Sequence, residues 1–254
     1  MARQLSAFAA SGLLALSAHA TSPLPLSGAL SPLLSADASS VGAPWRVVGF
    51  PKAKSDIPLT RFEAATVQGE RAIKITTQAS YGTLVHDLPN VQASRLQWRW
   101  RLDQPLSGGQ RPADILSKNG DDAALKVCVL FDHPLERVPF VERQLLRLAR
   151  RISAEDLPAA TLCYVWDSTH PAGTQGPNPY SRRVRFISLQ GQGAALAQWQ
   201  HESRDVAADF AKLFADEWPG AGHMPPVRAV LLGADSDNTA SRSVGWLSGL
   251  QWVP

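Results

Sequence analysis

From about Trp45 onward, apolar and polar residues alternate with a period of two in short runs separated by Gly, Pro, Asn and Asp. That period places successive side chains on opposite faces of an extended strand. The runs are Trp45 to Phe50, Phe62 to Val67, Ala72 to Thr76, Thr83 to His86, Leu96 to Leu102, Leu125 to Phe131, Leu162 to Trp166, Val184 to Leu189, Val227 to Leu232 and Val244 to Trp252. In the clearest of them Leu96, Trp98, Trp100 and Leu102 share one face, and Gln97, Arg99 and Arg101 the other, so one side is core and the other wet. Ten short strands predict an all-β fold, a β-sandwich or jelly roll. Helical spacing interrupts the pattern twice, at about Phe140 to Ile152 and at about Val206 to Phe214, where Val206, Phe210, Leu213 and Phe214 form an apolar side. The first helix lies between two consecutive strands and is expected to be an insertion covering a sheet edge or a mouth.

The ends of the chain read differently. Residues 1–20 have the form of a secretory signal peptide: Arg3 in the n-region, a short apolar core from Phe8 to Leu16, and Ala18-His19-Ala20 as a small-x-small cleavage site. A mature protein beginning at Thr21, exported to the periplasm or secreted, is the expectation. Residues 21–42 are Ser, Ala, Pro and Leu with little charge, an irregular N-terminal arm, and residues 43–254 form a single β-sandwich domain. No later apolar run reaches the ~20 residues of a membrane span. The formal net charge is +3 in 254 residues, dispersed among acidic groups, so no nucleic-acid partner is indicated. Arg143, Arg147, Arg150 and Arg151 cluster among Leu145, Leu146, Leu148 and Ile152, and read as the solvated face of an amphipathic helix.

Cys128 and Cys163 are the two cysteines, each inside a strand-like run and each on the face opposite its strand's large apolar residues. In an oxidising compartment they pair as a disulfide or stay as two half-buried thiols, depending on a Cα separation that spacing does not fix.

Three polar constellations carry candidate chemistry. Lys118-Asn119-Gly120-Asp121-Asp122, with Asp114 upstream, enters the strand of Cys128; Gly120 permits a tight turn that sends the two carboxylates to different sides. Tyr164-Val165-Trp166-Asp167 leads into a loop, Ser168 to Ser181, containing Asn178, Pro179 and Tyr180. Aromatic rings at a strand end beside amide and carboxylate groups suit stacking on sugar rings and hydrogen bonding to hydroxyls, although Tyr164 and Trp166 also alternate as core residues do. Asp235-Ser236-Asp237-Asn238-Thr239 follows an apolar run and offers Asp235, Asp237 and Asn238 as ligands for calcium, joined by Asp121 or Asp122 across the sheet; the competing reading is a turn in which Asx side chains bond the backbone. An EF-hand loop is excluded, since its sixth and twelfth positions would be Ala240 and Trp246.

Catalytic signatures are sparse. The chain has no nucleophile elbow, Walker loop or dinucleotide fingerprint, and His201-Glu202-Ser203-Arg204-Asp205 lacks the second histidine of a zinc-protease helix. The six histidines include no pair at metal-ligand spacing.

Taken in order, Lys118-x-Gly120-Asp121-Asp122, Tyr164-Val165-Trp166, Asn178-Pro179-Tyr180, Arg204-Asp205-Val206-x-x-Asp209-Phe210 and Asp235-x-Asp237-Asn238-Thr239 resemble the bacterial family of unknown function numbered 3047, over roughly Trp45 to the C-terminus. The resemblance implies an exported, β-rich protein whose layout is similar to carbohydrate-binding modules and galactose-binding-like domains. One departure follows the last motif: where relatives carry Tyr, Gly and Asp in the next strand, this chain has Trp246, Gly249 and Leu250, which removes a final acidic ligand.

The leading expectation is a non-catalytic domain that binds a carbohydrate or cell-envelope glycan, with Trp166 and Tyr180 as stacking residues, Asp114, Lys118, Asp121 and Asn178 as hydrogen-bonding partners, and calcium in a structural role. One alternative is an envelope polysaccharide hydrolase using two carboxylates among Asp114, Asp121, Asp122, Asp205 and Asp235. Another is a periplasmic scaffold, which predicts an exposed apolar patch on the inserted helix.

Overall fold

The structure, a computed structural model, describes residues 30–50, 56–92, 95–153, 156–218 and 224–253. The expected leader lies outside them. Within them the chain builds twelve strands, β1 (Arg46–Val48), β2 (Arg61–Val67), β3 (Glu70–Gln78), β4 (Tyr81–Val91), β5 (Arg95–Ser107), β6 (Leu125–Phe131), β7 (Ala160–Trp166), β8 (Gln175–Pro177), β9 (Val184–Gln190), β10 (Gln200–Asp205), β11 (Val227–Asp235) and β12 (Arg242–Val253), and two helices, α1 (Phe140–Ser153) and α2 (Val206–Leu213). A seven-stranded sheet, in the order β1-β4-β11-β6-β7-β9-β8, faces a five-stranded sheet, in the order β10-β5-β12-β3-β2. All pairings are antiparallel except β7 with β9.

All ten expected strands are present, and so are both helices. Two strands escaped the pattern, β8 and β10. Each is the edge of its sheet and pairs on one side only, so Gln200-His201-Glu202-Ser203-Arg204-Asp205 needs no apolar alternation to hold its place.

Alternation decides what fills the sandwich. Ile73 and Ile75 of β3, Leu96, Trp98, Trp100 and Leu102 of β5, Leu125, Val127 and Val129 of β6, Leu162, Tyr164 and Trp166 of β7, and Val230 and Leu232 of β11 point between the sheets. The aromatic rings form a continuous stack: Trp98 lies 5.5 Å from Trp100 and 5.3 Å from Tyr164, and Trp100 lies 5.6 Å from Trp166. At one end α2 closes the core with Val206, Phe210 and the following Phe214, the Phe210 ring 4.6 Å from Phe131 and 4.8 Å from Phe214. Asp205 caps α2 by accepting from Ala208 N at 3.0 Å, and Asp209 accepts from both Arg204 (3.0 and 2.7 Å) and the Tyr164 hydroxyl (2.8 Å).

The outer face of the seven-stranded sheet has a smaller apolar cluster of its own. Cys128 and Cys163 are directly opposite in the β6–β7 ladder and form a disulfide, packed with Ile115, Ala123, Val165 and Phe186. This is the face opposite Val127, Val129, Leu162 and Tyr164, so β6 and β7 are buried on both sides.

Packing begins ahead of Ala43. Leu33 is buried in the core, the Ser31 amide donates to His86 Nε2 at 3.1 Å, and the Trp45 indole donates to the Ser31 carbonyl at 3.0 Å. The described part of the arm is therefore docked rather than trailing.

Helix α1 follows β6 along the chain. It belongs to the β6–β7 connection, and those strands are neighbours in the interior of their sheet. Leu146 packs with Val138 and Ala159 in a satellite cluster, while Phe140, Val141, Leu145, Leu148 and Ile152 are all exposed. The expected solvated face thus includes the apolar residues as well as the arginines, because the satellite cluster has room for Leu146 and little more.

Candidate functional site: a carboxylate cluster beneath an aromatic rim

Three loops converge on one cluster: residues 112–124 entering β6, residues 236–241 between β11 and β12, and residues 178–183 between β8 and β9. The first is pinched at its base, where the Asp114 amide donates to the Gly120 carbonyl at 2.8 Å. A Cβ on Gly120 would meet Asp114 N at 2.6 Å, so only glycine lets this loop close.

Two carboxylates tie the loops together. Asp122, from the first loop, accepts from the Thr239 amide (2.8 Å), the Thr239 hydroxyl (2.6 Å) and the Asn238 amide (3.2 Å). Asp235, at the end of β11, reaches back to accept from the Ala123 amide (2.9 Å) and from Lys126 Nζ (2.7 Å). Asp237 completes a group in which one oxygen from each of Asp122, Asp235 and Asp237 lies within 4.8 Å of the others. Asp121 stands beside them, accepting from Asn178 Nδ2 at 2.5 Å.

Four carboxylates around one ammonium leave an excess of negative charge in a largely dehydrated place. Burial, and then the charge of Asp235, push Asp121 up to about 6; burial, Asp235 and Asp122 push Asp237 up to about 6 as well. Burial and Asp235 also raise Asp122, against the hydrogen bonds from Thr239 and Asn238 that favour its charged form. For Lys126 burial acts downward, but Asp235, Tyr81 and Asp121 prevail and raise it, holding it firmly cationic. Its ammonium sits 5.2 Å from the Tyr81 ring centroid.

Above the cluster is the rim. Tyr180 is 58% exposed, its hydroxyl donates to the Lys118 carbonyl at 2.6 Å and lies 3.2 Å from Asn238 Oδ1, and the Lys118 ammonium is 5.9 Å from the ring. Asn178 fixes the approach to that ring by accepting from the Tyr180 and Ser181 amides while it donates to Asp121. Lys118, Asp121, Asn178, Tyr180, Asp235, Asp237 and Asn238, expected on separate turns, are thus brought together.

Two expected ligand contacts are placed elsewhere. Trp166 is 1% exposed and packed on Trp100, so neither face of its indole is open to stack on a ligand. The alternation that made it a core candidate prevailed. Asp114 turns to His170, 2.8 Å away, whose hydrogen bond is the main cause lowering its carboxyl below the usual range. Lys126 and Tyr81 were not anticipated; each belongs to a regular strand, and only the β4-β11-β6 order sets them beside Asp235.

A separate groove of about 310 Å³ runs over the outer face of the five-stranded sheet, lined by Gln97, Arg99, His201, Ser203 and Gln251. Gln97 and Ser203 bond each other at 3.2 Å, and the bordering Glu202 is occupied by Trp100 Nε1 and Gln190 Nε2. Paired groups of this kind make the groove a weaker candidate than the loop end.

The sequence profile of a family described as protein of unknown function, DUF3047, matches residues 43–251. The chain belongs to the DUF3047 family. A comparison with curated proteins finds no match. Solved structures similar to the chain include a family 29 carbohydrate binding module (TM-score 0.33, 9% identity, covering 84% of this chain and 81% of that one) and a family 29 module complexed with cellulohexaose (0.34, 10%, 89% and 91%). A family 61 module in complex with β-1,4-galactotriose is also similar (0.33, 9%, 83% and 88%).

The five DUF3047 segments have two structural fates in this chain. Lys118 to Asp122, Asn178 to Tyr180 and Asp235 to Thr239 converge on the site just described. Tyr164 to Trp166 and Arg204 to Phe210 instead build the core and the capped entry to α2. Trp246 is buried, and its indole donates to Asp103 Oδ2 at 2.7 Å.

Proposed function

We propose that this DUF3047 protein is an exported, non-catalytic glycan-binding β-sandwich whose ligand seats on the rim formed by Lys118, Asp121, Asn178 and Tyr180. The observation that carries the reading is Tyr180. An aromatic ring is held open to solvent by its own hydroxyl, flanked by an ammonium on one side and by amide and carboxylate groups on the other. Such a ring offers a flat apolar face to the C–H side of a sugar while its neighbours take the hydroxyls. The disulfide supports an oxidising compartment, and no helix among the described residues is long and apolar enough to cross a membrane.

The cluster beneath the rim supports a structural role for calcium. Its donors are hard oxygens, as calcium prefers, and a divalent ion held by Asp122, Asp235 and Asp237 would relieve the repulsion that raises Asp121 and Asp237. Lys126 already neutralises part of Asp235, so Asp237 and Asp122 would supply most of the attraction.

The experiment is a binding screen against envelope and plant polysaccharides by affinity electrophoresis, comparing wild type with Tyr180→Ala. Loss of retardation on the glycan that wild type binds, with an unchanged melting temperature, is the expected result. Equal retardation of the variant would remove Tyr180 from the site.

A second reading, envelope polysaccharide hydrolysis, is favoured by one observation: Asp121 and Asp237 are both held near 6, as an acid catalyst at neutral pH requires. Release of reducing ends from the bound glycan, abolished by Asp121→Asn, would replace the binding-module reading with this one.

A further inference from the structure

Helix α1 carries its apolar side outward. Val141, Leu145, Leu148 and Ile152 recur at helical spacing as one stripe, with exposures of 68, 61, 54 and 76%. A helix on a water-soluble domain ordinarily turns such a stripe to the core; here the inward residue is Leu146, at 6%. The helix is also fixed in this orientation by polar contacts. Glu142 pairs with Arg182 at 3.0 Å and with Arg183, and the Arg150 guanidinium donates twice to the Leu157 carbonyl, at 2.8 and 2.6 Å.

Among the described residues, the charges of the helix that flank the stripe without an ion pair are basic. Arg147 and Arg151 follow it roughly a third of a turn round the helix, both exposed, and neither makes an ion pair among the described residues. Arg143 sits 5.7 Å from the exposed Phe140 ring, and Arg137 4.0 Å from the Trp218 ring. The acids nearby are mostly spent: Glu142 on Arg182 and Arg183, and Asp156 on Arg150 and on Arg228. Among the described residues Glu136 remains, one turn ahead of the helix.

We propose that α1 docks lengthwise on an anionic phospholipid surface, with Val141, Leu145, Leu148 and Ile152 among the upper acyl chains and Arg147 and Arg151 on headgroup phosphates. An apolar stripe with a basic flank is the composition of a helix that lies in the membrane interface. Arginine forks match phosphate oxygens, and their stems run along the apolar boundary. The ridge is convex, which suits a deformable surface better than a partner that would have to supply a groove. The stripe is about 16 Å long, enough to seat the protein without any spanning segment. The inference does not depend on what the loop end binds.

Vesicle flotation tests it, using the purified full chain and vesicles of phosphatidylcholine with about one quarter phosphatidylglycerol, against phosphatidylcholine alone. The expected result is binding to the anionic vesicles that weakens with added salt, falls at least tenfold in Leu145→Gln/Leu148→Gln, and falls about tenfold in Arg147→Gln/Arg151→Gln. All four side chains are exposed, so the variants should melt with wild type. Equal binding to both vesicle types, no binding to either, or undiminished binding by the leucine variant would overturn the proposal. So would a soluble protein that captures wild type and not the leucine variant while vesicles capture neither.

Discussion

Lys126 of β6 and Asp235 at the end of β11 meet at 2.7 Å, which bonds an ammonium to the group that Asp235 forms with Asp122 and Asp237. Asp235 also accepts the Ala123 amide, so the pair fastens the entrance of β6 to the exit of β11. Each side chain is 13% exposed, dry enough that losing one partner strands the other. Lys126→Met should destabilise the protein by about 2–3 kcal/mol at pH 7, measured by urea denaturation. Asp235→Asn, which removes a repelling charge from Asp121, Asp122 and Asp237 as well as the partner of Lys126, should cost less.

The raised carboxyls set the pH response. Asp121 and Asp237 titrate near 6 in the folded protein and near 3.8 when unfolded, so between those values the folded state binds more protons and stability increases as pH falls. Each group should contribute on the order of 1 kcal/mol after allowance for solvent screening, giving a melting temperature a few degrees higher at pH 5 than at pH 7 in chelator-treated protein. Glu217 works the other way. Despite burial, which acts upward, Arg183 and His133 hold it at about 2, and its contribution is lost only as pH falls below the ordinary glutamate range. The Asp121→Asn/Asp237→Asn variant should lose the rise between pH 7 and pH 5.

Calcium should reverse that trend at neutral pH. An ion at a hundred times its dissociation constant contributes about 2.7 kcal/mol, and protons compete for the same oxygens. Melting temperature should therefore rise by several degrees with calcium at pH 7, much less at pH 5, and not at all in Asp237→Asn/Asp122→Asn. Differential scanning fluorimetry reads all three, and an unchanged wild type at pH 7 would leave the cluster a purely protein-bonded turn.

Removing the disulfide in Cys128→Ala/Cys163→Ala should cost about 3–4 kcal/mol, from reopening a loop of sequence separation 35 in the unfolded chain. The sulfurs lie in the outer cluster with Ile115 and Phe186 rather than between the sheets, so the double-alanine protein should keep its fold and near-ultraviolet dichroism at 25 °C.

Trp166 and Tyr180 should separate cleanly. Trp166→Ala leaves a cavity beside Trp100 and should destabilise by about 3–5 kcal/mol, while Tyr180→Ala, on the surface, should stay within about 1 kcal/mol of wild type. Equilibrium unfolding of both variants checks this directly.

The sequence by itself determined ten of the twelve strands, both helices and the inward faces, because burial on one side of a sheet requires a period of two, while the edge strands β8 and β10 are free of that requirement. It also determined that Cys128 and Cys163 look away from the core, and it supplied the polar turns. Tertiary structure alone decided which turns meet. Asp122 and Asp235 are far apart along the chain, yet the β4-β11-β6 order makes them neighbours and brings in Lys126 and Tyr81, whose places in the alternation are unremarkable. It likewise settled Trp166, whose position at a strand end beside a polar loop fitted a binding role as well as a core one. The direction of α1's apolar stripe was open for the same reason: periodicity shows that a helix has two faces, but which one meets the protein depends on the partners that packing leaves available.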